Sequence, residues 1–214
     1  SVYDTLTAPN TKGEYVPNLA ESVTPNSDFT EWTIKARSGI QFHDGTPFNA
    51  DAIVANLEAW RKGRLFVFVY SNIASVDKVD DMTVKVTTKV PWAACPAYLY
   101  LVGRAGIAAP AQLANADTCA TNLIGTGPFK LNSPGDWKVN ESLTVVKNPS
   151  YWKKDSKGKQ LPYLDKIVFV PVADGPSRQT QLEGGQLDLM HTSSAQIIDA
   201  LKSVNGITET VEPD

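Results

Sequence analysis

The sequence is poor in the residues that build metal centres and nucleophilic active sites. Its 214 residues include two cysteines, two histidines and two methionines. His43 and His191 are far apart in the chain, and two histidines alone do not fill a zinc or nickel site. No G-x-S-x-G elbow is present, and His43, which precedes Asp44-Gly45, has the context of a turn residue. We therefore expect no enzyme, no metal and no cofactor.

The chain also lacks long apolar runs and a basic excess. No run approaches the roughly 20 residues that span a membrane, and a net charge of -3 argues against a nucleic-acid partner. There is no recognisable signal segment or lipid-acceptor cysteine, and we expect the signal segment to lie outside this sequence. A hydrophobic content of 42% suffices for one large domain or two small ones.

The stretch from Phe29 to Arg61 carries the clearest secondary-structure signals. Trp32, Ile34 and Ala36 alternate with polar residues, which predicts a half-buried strand. A turn at Ser38-Gly39 and a second strand through Ile40 and Phe42 should follow. Asn49 is a favourable N-cap for a helix from Ala50 to Arg61, with an apolar face behind it.

The remaining periodicities predict a mixed α/β chain. A hairpin is expected over 76–88. The apolar run 63–71 is best interpreted as a strand buried on both faces. Further helices are expected at 93–101, 110–114, 176–183 and 194–204, and further strands at 129–131, 143–147, 167–172, 187–190 and 206–211.

Six short motifs occur in order along nearly the whole chain. They are Leu19-Ala20-Glu21-Ser22, the run RSGIQFHDGTPFNAD from Arg37, Val79-Asp80-Asp81-Met82-Thr83-Val84, Gly125-Thr126-Gly127-Pro128-Phe129, Asn148-Pro149-Ser150-Tyr151-Trp152 and Gly185-Gln186-Leu187-Asp188. In this order and rough spacing the chain resembles the family 5 extracellular solute-binding proteins, the receptor components of peptide and nickel ABC importers. Each motif is weak alone, but six in order are specific.

The resemblance implies a periplasmic-binding-protein-like fold of type II, present only in part. On that template, residues 1–122 form an α+β subdomain inserted in the first lobe, and residues 123–214 form part of the first ligand-binding lobe. The second lobe would lie outside this sequence. The loop 125–128 fits neither a P-loop nor a dinucleotide fingerprint, and we interpret it as the crossing between the two parts.

The resemblance also implies a function. We expect a monomeric extracytoplasmic receptor, periplasmic or held at the cell surface as a lipoprotein, that captures a short peptide and delivers it to an ABC permease. One alternative is the solute-sensing domain of a regulator, which would carry a DNA-binding module upstream. A secreted hydrolase is a weaker alternative, because no nucleophile–histidine pair is apparent.

Candidate contact residues follow from the same template. The residues after the Gly185-x-x-Asp188 motif touch the solute in the resembling peptide receptors, which implies roles for His191, Thr192 and Ser193. A plain helix cap with an exposed histidine is the alternative for these three. The loop at 63–71 often ends in an aromatic residue near the solute, which makes Phe68 and Tyr70 candidates if it is not a core strand.

The two cysteines remain to be placed. In a protein outside the cytoplasm an even number of cysteines predicts a disulfide, here between Cys95 and Cys119. Two free thiols are the alternative.

Overall fold

The computed structural model describes residues 2–64 and 66–211 and shows a mixed α/β chain. The strands are β1 (Thr7–Pro9), β2 (Tyr15–Pro17), β3 (Ala20–Pro25), β4 (Glu31–Ala36), β5 (Ile73–Lys78), β6 (Thr83–Thr88), β7 (Phe129–Lys130), β8 (Trp137–Lys138), β9 (Ser142–Lys147) and β10 (Lys166–Phe169). The helices are α1 (Ala50–Lys62), α2 (Val67–Tyr70), α3 (Cys95–Tyr98), α4 (Pro110–Ala114), α5 (Gly175–Glu183) and α6 (Ala195–Leu201). Among these residues, none of the helices could span a lipid bilayer.

The largest sheet has the antiparallel order β3-β4-β6-β5. The period-2 pattern of β4 buries Trp32, Ile34 and Ala36, as the sequence predicted. Ile34 pairs with Val84 of β6, so that the apolar side chains of neighbouring strands share one face. The predicted hairpin is confirmed as β5 and β6.

Helix α1 covers that apolar face. The side chain of Asn49 accepts a hydrogen bond from the backbone N–H of Ala52 at 3.2 Å, which confirms the predicted N-cap. Ile53 and Leu57 are fully buried in the core. The buried amide of Asn56 donates to the Ala108 carbonyl at 2.7 Å and accepts from the Ala108 N–H at 2.9 Å, which ties the helix to the segment before α4.

A second sheet has the order β10-β9-β7, with β8 paired to β9. Its small core consists of Val2, Phe129 and Val145. Strand β7 runs antiparallel to β9, with Phe129 opposite Lys147.

The chain divides into two compact units, one holding the described residues up to Lys138 together with Leu143–Val168, the other Val139–Ser142 and the described residues from Phe169 on. The division expected between residues 122 and 123 refers to the lobes of the family and stays a prediction. In the second unit, α5 packs against α6, and a Cβ on Gly175 would crowd the Ile197 side chain. Asp174 and Ser194 cap the two helices.

The expected strand at 63–71 is wrong. Residues 67–70 form the short helix α2, which buries Val69 and Tyr70 and leaves Phe68 77% exposed. A strand buried on both faces would have enclosed Phe68 as well, whereas a single helical turn leaves one side of the segment open to solvent. Leu65 lies outside the described residues.

Other expected elements are shorter or absent. The strand through Ile40 and Phe42 reduces to one bridge between Gln41 and Pro47. The helix expected at 93–101 spans only Cys95–Tyr98. Within the described ranges, 187–190 and 206–211 form no strand. Leu189 is 85% exposed there, so no apolar neighbour orders it.

The predicted disulfide between Cys95 and Cys119 is not formed: both cysteines are free in the structure. The Cys95 side chain is enclosed in the main core, and burial raises the pKa of its thiol. Cys119 lies in the loop after α4, where its carbonyl accepts a hydrogen bond from Gln112 at 2.8 Å. The two thiols thus occupy different surroundings.

Candidate functional site

The segment before α6 presents the polar residues implied by the resemblance. His191 and Ser193 are exposed and Thr192 is half-buried. Thr192 Oγ1 accepts a hydrogen bond from the Ser194 N–H at 3.1 Å, which fixes the backbone just ahead of the helix cap. The side chains of His191 and Ser193 make no hydrogen bond within the described part of the chain, so their polar atoms are available to a solute.

Helix α2 separates the two aromatic candidates. The Phe68 ring points to solvent, whereas Tyr70 is completely buried and its hydroxyl donates to the Tyr98 carbonyl at 2.7 Å. Tyr70 also contacts Trp60, with ring centroids 5.1 Å apart. Burial raises the pKa of Tyr70. Phe68 therefore remains a candidate contact and Tyr70 does not, because it is a core residue.

The ring of His43 holds the Gly125–Pro128 loop by two hydrogen bonds. The Gly125 N–H donates to His43 Nδ1 at 3.2 Å, so Nδ1 carries no proton and Nε2–H donates to the Gly127 carbonyl at 3.0 Å. Burial is the main cause that lowers the pKa of His43. A Cβ on Gly125 would overlap the Val2 carbonyl oxygen, so only glycine fits there.

The carboxylate of Asp4 is a structural centre that the sequence analysis did not single out. It accepts hydrogen bonds from Trp152 Nε1 at 2.9 Å, Tyr151 Oη at 3.2 Å and Thr126 Oγ1 at 3.3 Å. Burial, followed by the negative charge of Asp4, raises the pKa of Tyr151. The Asp4 carboxylate thus joins two of the six motifs to the N-terminal segment. The only sequence signal for this role of Asp4 was its position as an acidic residue ahead of motifs rich in hydroxyl and indole donors.

The remaining surface offers little that resembles a reaction centre. In residues 2–64 and 66–211, no three His, Cys, Asp or Glu side chains converge as metal ligands. A depression of about 420 Å³ lies between the Ser38–Gln41 turn and Pro47–Asn49, and another of about 230 Å³ is lined by Arg61, Lys62 and Lys89. Neither depression is lined by the predicted contact residues. In the second unit the segment before α6 offers hydrogen-bonding groups, and in the first unit Phe68 offers an exposed aromatic ring.

Comparison with known proteins identifies the family. The family model described as bacterial extracellular solute-binding proteins, family 5 middle, matches residues 14–214. The chain belongs to this family. It is 35% identical over 171 residues to the glutathione-binding protein GsiB of Escherichia coli K12, a match that covers 78% of this chain and 32% of GsiB. This family 5 chain thus spans about a third of the curated relatives it matches.

Solved structures show the same family fold. MoaA from A. tumefaciens R10, in complex with mannopinic acid, has a TM-score of 0.83 and 26% identity over 99% of this chain and 43% of its own. DppA from Helicobacter pylori, in complex with peptide STSA, has a TM-score of 0.76 and 25% identity over 95% of this chain and 43% of its own. AgaA from A. tumefaciens R10, in complex with agropinic acid, has a TM-score of 0.76 and 32% identity over 87% of this chain and 37% of its own.

These comparisons confirm several expectations. The resemblance to family 5 and the incomplete periplasmic-binding-protein-like α/β fold are both correct. The relatives are solute-binding proteins rather than enzymes, which agrees with the expectation for this family. They favour neither the hydrolase nor the regulator alternative.

Proposed function

We propose that the chain is part of an extracytoplasmic receptor that captures a short peptide and delivers it to an ABC permease. The observation that carries this proposal is the 35% identity over 171 residues to the glutathione-binding GsiB, because glutathione is itself a tripeptide. The STSA complex of DppA supports the same solute class.

The proposed contacts are His191, Thr192, Ser193 and Phe68. The first three offer hydrogen-bonding groups on one short segment, which suits the amides and carboxylate of a peptide. An exposed aromatic ring such as Phe68 adds apolar contact area at little cost in side-chain entropy. This chemistry sets no length or side-chain preference, so the peptide sequence is selected elsewhere.

A second solute class is favoured by a specific observation. AgaA and MoaA, which are 32% and 26% identical to this chain, were solved with agropinic and mannopinic acid. The same hydrogen-bonding groups suit such acids, so both classes belong in the test.

Uptake by the producing cell tests the function. We expect deletion of the gene to reduce uptake of labelled di- and tripeptides, including glutathione, and to leave uptake of agropinic acid unchanged. Permease and ATPase genes beside this gene would support import. Loss of agropinic acid uptake alone would favour the second class, and unchanged uptake of every solute would overturn the receptor function.

The contact residues are tested in the deletion strain with the gene restored. We expect His191→Ala and Ser193→Ala to restore less uptake at limiting peptide concentration than the wild-type gene. Ser27→Ala, another exposed serine, is the matched control and should restore uptake fully. Full restoration by all three variants would place the contacts on other residues.

A further inference from the structure

Residues 147–166 form the most basic stretch of the chain. They contain six lysines, two aspartates and no arginine, a formal charge of +4 in a protein whose net charge is -3. One of the aspartates, Asp165, faces Lys147 at 4.0 Å. Four of the lysines, namely Lys153, Lys154, Lys157 and Lys159, lie within residues 153–160, hereafter the basic hairpin.

The basic hairpin has a defined backbone. Lys154 pairs with Gln160 in an antiparallel bridge, and the Asp155 N–H donates to the Lys159 carbonyl at 2.9 Å. Gly158 has a φ of +80°, which a tight turn requires and glycine adopts without strain. The lysines are therefore carried on an ordered turn.

The only carboxylate in the basic hairpin hydrogen-bonds to backbone and hydroxyl groups rather than to the lysine ammonium groups. Asp155 Oδ1 accepts the backbone N–H groups of Lys157 at 2.9 Å and Lys159 at 2.8 Å, and Oδ2 accepts the Tyr163 hydroxyl at 2.6 Å. Among the described residues, the Lys154 and Lys157 ammonium groups have no acidic partner within 4 Å, and both side chains are exposed. Two positive charges thus face solvent uncompensated.

Apolar groups lie beside these charges. The Lys159 ammonium sits 5.0 Å from the centre of the Tyr163 ring, which is 59% exposed, and the next residue, Leu164, is 61% exposed. Lysine is a mobile point charge, whereas arginine recognises a single carboxylate or phosphate in a fixed geometry. A surface of lysines with an exposed tyrosine and leucine therefore complements a diffuse negative surface that also has an apolar layer.

We propose that the basic hairpin, with Tyr163 and Leu164, is a contact surface for an anionic phospholipid bilayer. Exposed lysines are attracted to anionic headgroups within a Debye length, about 8 Å at physiological salt. Tyrosine and leucine favour the headgroup boundary. The contact goes beyond solute capture and does not depend on which solute is bound. It would hold the receptor at the membrane surface, where a permease lies.

The test is sedimentation of the full chain with phosphatidylglycerol and with phosphatidylcholine vesicles. We expect binding to the anionic vesicles only, and its loss in high salt. The double variant Lys154→Gln/Lys157→Gln should bind the anionic vesicles about thirtyfold more weakly. Lys12→Gln/Lys89→Gln removes two exposed lysines elsewhere, gives the same net charge of -5, and should bind like the wild type. Circular dichroism of each variant checks the fold.

A second binding experiment distinguishes a lipid partner from an acidic protein partner. Immobilised polyglutamate presents acidic groups without an apolar layer. Binding to polyglutamate through Lys154 and Lys157, without binding to anionic vesicles, would overturn the bilayer proposal in favour of an acidic protein. Equal weakening by both double variants would also overturn it, because the attraction would then follow net charge. Leu164→Ser should weaken vesicle binding and leave polyglutamate binding unchanged.

Discussion

His43 holds the Gly125–Pro128 loop only in its neutral form. Nδ1 must accept the Gly125 N–H, and a proton on Nδ1 would replace that hydrogen bond with repulsion between two donors. The charged groups that act on the ring are Lys130, which opposes protonation, and Asp4 and Asp44, which favour it; burial outweighs the two aspartates and lowers the pKa. The hydrogen bond from Gly125 to His43 is therefore sensitive to acid.

We predict that the free energy of unfolding falls as the pH drops below about 6.5, the ordinary pKa of histidine. The folded pKa of His43 is lowered, so the unfolded chain binds more protons in this range and acid favours unfolding. Urea denaturation between pH 5 and 8 measures the effect. His43→Gln should flatten the profile and cost about 1–3 kcal/mol at pH 8. His191→Gln, on an exposed histidine, is the control, and a flattened profile in that variant would contradict the prediction.

Asp4 provides a second prediction at this scale. Asp4→Asn replaces a charged acceptor of three hydrogen bonds with an amide whose NH₂ group faces donors. We expect a loss of about 2 kcal/mol in the free energy of unfolding, the order of a hydrogen bond to a charged group. Denaturation followed by tryptophan fluorescence measures it. Asp117→Asn, on an exposed aspartate, should change stability by less than about 0.5 kcal/mol. Equal effects in both variants would contradict a central role for Asp4.

At the scale of elements, helix α2 places two nearby aromatic residues in opposite environments, one buried and one exposed. Tyr70→Ala removes a buried ring that contacts Trp60 and Tyr98, and we expect a loss of about 3–5 kcal/mol. Phe68→Ala removes an exposed ring and should change stability by less than about 0.5 kcal/mol. Thermal and urea denaturation compare the two directly. Similar losses in both variants would indicate the two-sided burial of a strand and contradict the helical turn.

The same element shows how far the sequence could predict the structure. Strand β4 and helix α1 were predictable because their periodicity is long and Asn49 marks the helix start. The run 63–71 was not, because valine and aromatic residues favour strands locally and only tertiary packing selects a helical turn. Strand pairing also depends on partners distant in sequence, which explains why 187–190 was expected as a strand and forms none.

The candidate site was predictable only in part, for a related reason. His191, Thr192 and Ser193 came from the segment after a motif; His191 and Ser193 are exposed and Thr192 is half-buried, and their role as solute contacts stays a prediction. Tyr70 shared the apolar run 63–71 with Phe68, and no sequence pattern distinguishes which ring points inward. Asp4 acts through Thr126, Tyr151 and Trp152, more than 120 residues away, a proximity that periodicity does not encode.

At the scale of the whole molecule, this chain corresponds to less than half the length of its relatives, which affects the affinity expected for a solute. The chain spans 32% of GsiB and 43% of DppA. Receptors with two lobes close both on the solute, and pockets for small ligands bury about 70–90% of the ligand surface. The contacts proposed in this chain are three polar side chains and one exposed ring, each contributing about 1 kcal/mol.

We predict that residues 1–214 alone bind peptides with a Kd no tighter than about 1 mM. The proposed contacts contribute too little to offset an association cost estimated at about 4–15 kcal/mol. Isothermal titration calorimetry with glutathione and a set of di- and tripeptides measures this, with full-length GsiB and glutathione as the positive control. Saturable binding at micromolar concentration would show that these residues contain a complete site. In that case His191→Ala and Ser193→Ala, titrated beside Ser27→Ala, would decide whether the site includes the segment before α6.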